Sequence, residues 1–334
     1  VPDRGFEYGF VRFDGELVTA GLYRGLKSHV LCGGCAKVRI LTHNSSMKRI
    51  LIVGCGDIAL RTIPLLVRRY RVYALIRNPG YGAKLRSLGA IPVSGDLDKR
   101  ASLTRISGLA DAVLHFAPPA ATDGADTRTR NLLGALSRGT RRLVYISTSG
   151  VYGDCGGDRV SETRAVSPAS VRGKLRLDAE RQIRDWAGRN GVNASILRVP
   201  GIYAQDRLPL ARLRQGAPCI EAAEDGYSNH IHADDLARIA VAALHRAKPC
   251  RVYHATDDDE MKMGDYFDAV ADAHGLPRPP RMTRCEVQRT VSPVMWSFMN
   301  ESRRLTNQRI KRELRVRLKY PTVADALAEM KRQM

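Results

Sequence analysis

The sequence predicts an α/β fold, a doubly wound parallel sheet with helices on both faces and a smaller C-terminal lobe. Three observations predict it. From Met47 onward, strand-like apolar runs alternate with helical segments. A glycine turn joins the first run to the first helix, and the links between successive units are short. No internal repeat or low-complexity tract competes with that reading.

Residues 1–46 stand apart, with turn residues and short apolar pieces such as Gly9-Phe10-Val11-Arg12-Phe13 but no sustained periodicity. They read as an extension upstream of a start at Met47, or as a short ordered appendage. Arg49-Ile50-Leu51-Ile52-Val53 is the first strand, apolar enough to be buried on both faces. It breaks at Gly54-Cys55-Gly56-Asp57-Ile58-Ala59 and continues as a helix to about Arg69, which Pro64 should kink. Arg71–Ile76 is the second strand and Ala90–Val93 a short third, followed by Gly95-Asp96. Ala112–Ala117 is a fourth and Arg142–Ser147 a fifth; helices are expected over Thr127–Ser137 and Lys174–Asn190, and Asn193–Val199 makes a sixth strand.

Composition narrows the classes. The chain has 334 residues with 44% hydrophobic and 26% charged, the balance of a globular protein. No run of about 18 apolar residues proposes a membrane helix, and Val1–Tyr8 does not read as a signal peptide. Seven scattered cysteines suit a reducing compartment, so a cytoplasmic location is expected. Cys32 and Cys35 form a close pair with only His43 nearby, too few ligands for structural zinc; no metal is expected. The net charge of +20, carried by 43 arginines among 54 basic residues, invites a nucleic-acid reading. The densest basic stretch, Arg303 to Lys319, has Leu305, Ile310, Leu314 and Leu318 at helix-like spacing and few aromatics for stacking. It reads as an amphipathic basic helix on an enzyme surface.

Gly54, Gly56 and Ala59 carry the chemistry of the first turn. The first glycine allows the tight turn, the second lets backbone approach a pyrophosphate, and the alanine permits close helix packing. The helix start at Asp57 and Ile58 turns its N-terminus toward the anion. Beyond the second strand stands Arg77, where an acidic residue would select NAD; a guanidinium there pairs with a 2′-phosphate, which points to NADP with NAD as the alternative. Asp96 either accepts from an adenine amino group or merely forms its turn.

These residues resemble the short-chain dehydrogenase/reductase superfamily, in its extended and atypical branch of epimerases and dehydratases. The resemblance is carried by Gly54–Ala59, Gly95-Asp96-Leu97, His115–Pro119, Ser147–Gly153, Arg198–Tyr203, His230–Ala237 and Ser302–Asn307 through Tyr320-Pro321. It covers Met47 to the end. It implies a Rossmann domain over 47–200 plus 227–257 and a substrate lobe over 201–226 plus 258–334, with Ala117 beside the cofactor. A small-molecule substrate, often a nucleotide sugar in such enzymes, is implied as partner; the oligomeric state stays open, a homodimer included. His232-Ala233-Asp234-Asp235 resembles the segment that buttresses the two lobes, although capping of a helix over Leu236–His245 is the simpler role for its carboxylates.

The family's chemistry uses a Ser or Thr hydroxyl and a tyrosine with a lysine four residues later. Thr148 matches the hydroxyl and Lys174 the lysine, which would also hold the nicotinamide ribose. Ser170 stands where the tyrosine belongs. Tyr23-Arg24-Gly25-Leu26-Lys27 spells the pattern outside the matching region and is read as chance. Tyr152 and Asp126 are the substitute proton-transfer candidates, Tyr152 with a packing role and Asp126 with a helix cap as alternatives. Two functions stay open: an NADP-dependent oxidoreductase or epimerase/dehydratase with a non-standard acid/base, and a non-catalytic NADP-binding redox sensor or regulator.

Overall fold

Ile50 and Ile52 face one side of the first strand and Leu51 and Val53 the other, and both pairs are buried. That two-residue alternation, buried twice over, is what a central parallel strand requires. In the computed structural model, which describes residues 6–13, 16–23, 48–120, 124–136 and 139–333, this strand is the middle of the sheet. β1 (Arg49–Val53), β2 (Arg71–Ile76), β3 (Ile91–Ser94), β4 (Ala112–His115), β5 (Arg142–Thr148), β6 (Asn193–Val199) and β7 (Arg251–His254) pair in the order β3-β2-β1-β4-β5-β6-β7. All six pairings are parallel. The order reverses between β1 and β4, and ligands bind outside the carboxyl ends of the strands at such a switch point.

Helices α1 (Asp57–Leu66) and α4 (Ala233–Arg246) share one core with Ile50, Ile52, Val144 and Leu197. Helices α2 (Thr127–Ala135) and α3 (Val171–Asn190) share the other with Leu51, Val53, Leu143 and Ile196. A separate core joins Tyr203 and Leu213 to Phe267 and Val270 of α5 (Met263–Ala273) and Leu327 of α6 (Val323–Gln333). Each fully buried Leu, Ile or Val contributes roughly 1.5–3 kcal/mol by leaving water, so both faces of the sheet are strongly held.

Four elements differ from expectation. Within residues 1–46, Phe6–Phe13 pairs antiparallel with Glu16–Tyr23, Phe13 opposite Glu16. Asp14-Gly15 between them is a hairpin signal that the absence of long periodicity concealed. The contacts divide the chain into compact units at 1–46 and 47–334. The basic stripe is not one helix: only Gln308–Arg312 is helical, and Arg315 at φ +53° turns the chain out of helical geometry. Ile310, Leu314 and Val316 instead anchor that segment in the sheet's core. α4 starts at Ala233, capped by the Nδ1 of His232 accepting from the Asp234 amide. Its carboxylates reach elsewhere: Asp235 accepts from the amides of Lys319 and Tyr320, and Asp234 from Arg61. Asp235 thus ties α4 to the 319–320 segment, and Asp234 ties it to Arg61 of α1, in place of the predicted cap. α3 starts at Val171, with Ser170 as its N-cap accepting from the Gly173 amide at 3.1 Å. Cys32, Cys35 and His43 lie outside the described residues.

Candidate functional site

The turn after β1 is shaped by close approach. Gly54 sits at φ +92°, and a Cβ there would lie 2.3 Å from the amide nitrogen of Ala117. Only glycine fits both the conformation and the space. Gly56 is the N-cap of α1, and a Cβ on it would meet nothing within 4 Å. The backbone is therefore bare toward the cavity just where a pyrophosphate would lie, facing first-turn amides that lack intrahelical partners. Ala59 is fully buried under the helix. The side chains of Asp57 and Ile58 stay out of the cavity beside this turn: Asp57 accepts from Arg61 and Arg207, and Ile58 is in the core. Any role toward a cofactor falls to their backbone.

A cavity of about 480 Å³ runs from this turn across the ends of β1 and β2. Gly54, Gly56, Arg77, Asp96 and Ala117 all line it, so five of the residues picked from sequence converge there. Arg77 is exposed and lies 3.8 Å from Asp98. Both oxygens of Asp98 already take nitrogens of Arg128 at 2.7 Å, so the Asp98 carboxylate is occupied and sits below the usual carboxylate range. Arg128, a second cation on this wall, was not singled out from sequence because it sits on α2, far from the glycine turn in the chain. Asp96 forms its turn, accepting from the Asp98 amide at 3.0 Å, while still facing the cavity. The Cys55 thiol is a packing group: burial pushes its pKa up to about 12, and it donates to the Leu75 carbonyl.

A second cavity, of about 420 Å³, lies over the ends of β5 and β6. Thr148 lines it at the last position of β5. Its Oγ1 accepts from the Gly150 amide at 3.2 Å, which leaves the hydroxyl proton free to donate. The other expected catalytic groups are elsewhere.

Lys174 is exposed and lines neither cavity. The reason is helical register. Gly173 packs so tightly against the Thr148 turn that a Cβ would come within 2.8 Å of the Gly150 carbonyl. This contact sets the face of α3 toward the sheet, which carries Arg176 in line with Ala179, Glu180 and Ile183. Arg172 and Arg176, one turn apart, line the cavity in place of Ser170 and Lys174. The buried residues Gly173, Leu177, Glu180 and Ile183 were the available signal; residue type at position 174 was the weaker guide.

Tyr152 is buried, and its phenol is fully engaged. It donates to the Nε2 of His254 at 2.6 Å and accepts from Arg198 at 2.8 Å. The tautomer follows from the other ring nitrogen, since Nδ1 of His254 donates to the Thr306 carbonyl. Burial holds His254 neutral, with its pKa down to about 3, and raises that of Tyr152 against the lowering effect of Arg198. Behind the phenol, Arg198 and Glu180 form a buried bidentate pair at 3.0 and 2.7 Å, and Ser147 donates to Glu180 at 2.7 Å. Tyr152 is a member of this structural network and lines neither the glycine-turn cavity nor the one over β5 and β6. Tyr152→Phe is therefore expected to leave dinucleotide affinity within about twofold and to cost stability of about 1–3 kcal/mol, by leaving buried partners unsatisfied. Chemical denaturation alongside a cofactor titration checks both.

Asp126 is buried as the N-cap of α2, accepting from the amides of Arg128 and Thr129 and, at 2.5 Å, from the Thr129 hydroxyl. Capping accounts for the side chain completely. Among the described residues that line the second cavity, Glu301 is the one carboxylate, held by Arg303 at 2.7 Å. Neither Glu301 nor the two arginines of α3 was marked by any sequence pattern.

Fold, glycine cradle and cleft together define a dinucleotide-binding protein of the Rossmann class. The chain belongs to the family described as NAD(P)H-binding, whose model matches residues 54–247, and the relatives it resembles include dehydratases and epimerases of nucleotide sugars. It is 28% identical over 171 residues to a dTDP-glucose 4,6-dehydratase of Mycolicibacterium smegmatis, covering 45% of this chain and 52% of that protein. It is 29% identical over 207 residues to a UDP-glucose 4-epimerase of Azospirillum brasilense, covering 56% and 55%. The match thus spans about half the length of these relatives. A functionally unknown conserved protein from Silicibacter pomeroyi superposes at TM-score 0.71 with 28% identity, over 86% of this chain and 99% of that one. The UDP-N-acetylglucosamine 4-epimerase from Bacillus cereus shares the fold at TM-score 0.64 and 17% identity, over 86% and 99%. No helix among the described residues is long and apolar enough to cross a membrane.

Proposed function

We propose that the chain is an NADP-dependent oxidoreductase of the epimerase/dehydratase type. The observation that carries this reading is Thr148, whose unspent hydroxyl faces a cavity on the same sheet edge as the glycine turn. Arg77 supports the phosphorylated cofactor: it is exposed on the cavity wall, and Asp98 is already taken by Arg128. When bound, the nicotinamide supplies hydride donation or acceptance. Thr148 then donates to the reacting oxygen of the substrate and orients it. The arginines of α3 cannot exchange protons near neutral pH, because a guanidinium stays charged. Glu301 is the group we assign to proton transfer, and residues 201–226 plus 258–334 form the substrate lobe that brings it to the cavity. The names of the relatives make nucleotide sugars the first substrates to try, with simple carbonyls and alcohols after them.

Arg172 and Arg176 favour a second reading, because α3 presents these two arginines and no phenol or ammonium of its own to the cavity: a regulator that binds NADP without turning it over. A substrate panel followed through NADPH absorbance for net redox and through product analysis for redox-neutral epimerisation or dehydration, which returns the cofactor to its starting oxidation state, separates the two. Turnover that falls about 10²-fold or more in Glu301→Gln supports the enzyme and its proton-transfer group. NADPH binding with no turnover on any substrate selects the regulator.

A further inference from the structure

The second cavity is lined by four arginines and one carboxylate. Two of the arginines are neutralised: Arg303 by Glu301 at 2.7 Å and Arg207 by Asp57 at 3.2 Å. Arg172 and Arg176 have no carboxylate within ion-pair distance among the described residues. Arg172 holds its guanidinium carbon 4.0 Å from the centre of the Phe298 ring, a cation–π contact that leaves its N–H groups unspent. Arg176 gives one terminal nitrogen to the Tyr145 hydroxyl and the Ile146 carbonyl, and its buried Nε has no hydrogen-bond partner. Two like charges one turn apart on a helix repel each other. That repulsion is relieved by an anion seated between the two side chains, where the unspent N–H groups of Arg172 and the guanidinium charge of Arg176 meet the cavity.

We propose that Arg172 and Arg176 bind an oxyanion, the carboxylate or phosphate group of the molecule that this cavity takes. The inference rests on reading the cavity as the substrate site. It adds that the substrate is acidic and that its charged end is held on α3. The planar forks of two arginines recognise carboxylate and phosphate oxygens alike. Thr148, on the strand end that packs against Gly173, then meets a hydroxyl or carbonyl elsewhere on the same molecule. The pair thus takes up a holding role.

The test uses the full chain, inorganic phosphate, and a set of small carboxylates (glycolate, malonate and pyruvate), with binding measured by calorimetry in low-chloride buffer. NADPH is titrated in parallel. Binding of phosphate alone assigns a phosphate group, and binding of carboxylates alone assigns a carboxylate. In either case affinity should fall about tenfold or more in Arg172→Met and in Arg176→Met, as expected for losing a charge-assisted hydrogen bond. It should be unchanged in Arg181→Met, an exposed arginine of the same helix. Arg172 makes no hydrogen bond that the fold needs, so its variant remains informative if the Arg176 variant is unstable. Absence of binding by every probe, or equal binding by wild type and Arg172→Met, overturns the proposal. Failure of NADPH to bind would reject the cofactor reading separately, leaving the anion result to stand by itself.

Discussion

Gly54→Ala is expected to abolish dinucleotide binding and to cost the fold about 2–4 kcal/mol, the sum of a left-handed backbone penalty and a steric displacement. Gly54 holds φ +92°, and the added Cβ would lie 2.3 Å from the Ala117 nitrogen and 2.6 Å from its Cα. Those atoms are backbone and cannot rotate away. The Val53 carbonyl accepts from the amides of Phe116 and Ala117 at 2.7 and 3.0 Å, so relieving the clash means parting β1 from the end of β4. That movement closes or tilts the cradle formed with Gly56. Denaturant unfolding reports the first effect and a fluorescence titration with NADPH the second. An alanine variant with wild-type affinity would show that the dinucleotide does not lie across this turn.

The second large effect is structural. Glu180→Ala leaves Arg198 charged and almost wholly buried with its carboxylate partner gone, which should destabilise the chain by about 3–5 kcal/mol. With total stabilities of about 5–15 kcal/mol, this is a substantial share. Ser147 loses its acceptor in the same substitution, and the support for the Tyr152 phenol loosens. Because none of this network lines the dinucleotide cavity, cofactor affinity should fall only as far as the fold itself is lost. Replacing Glu180 and Arg198 together by apolar residues of similar volume should restore much of the stability, since removing both charges avoids the unpaired one. A single-variant loss below about 1 kcal/mol would contradict the reading of these groups as a buried pair.

The parts legible in the sequence were those set by local physics. Runs such as Ile50–Val53 and Leu143–Ile146 carry their own evidence of double burial, and Gly54, Gly56 and Ala59 fall at a strand-to-helix turn whose geometry needs small residues. Arg77 was found because the end of β2 is a fixed position in this architecture. The second cavity was harder to see. Its wall depends on which face α3 presents, and that face is set by Gly173 meeting the Gly150 carbonyl across the fold, a contact that no spacing reveals. A lysine at 174 in a matching stretch drew the register two residues away from Arg172 and Arg176. Tyr152 shows the same limit from another direction. A tyrosine just past a strand end points either into the cleft or beneath it, and only the partners His254, Arg198 and Glu180, brought from three other elements, decide. Asp126 was evenly balanced between chemistry and capping, and the three donors around it made it a cap.

The central claim is that the cradle after β1 holds NADP, with Arg77 meeting its 2′-phosphate. Parallel fluorescence titrations of NADPH and NADH into wild type and Arg77→Glu test it most directly. The account predicts saturable binding of both by wild type with NADPH tighter by about tenfold or more, as one charge-assisted contact warrants, and a reversed order in Arg77→Glu. Absence of binding, or equal affinities untouched by the substitution, would contradict it.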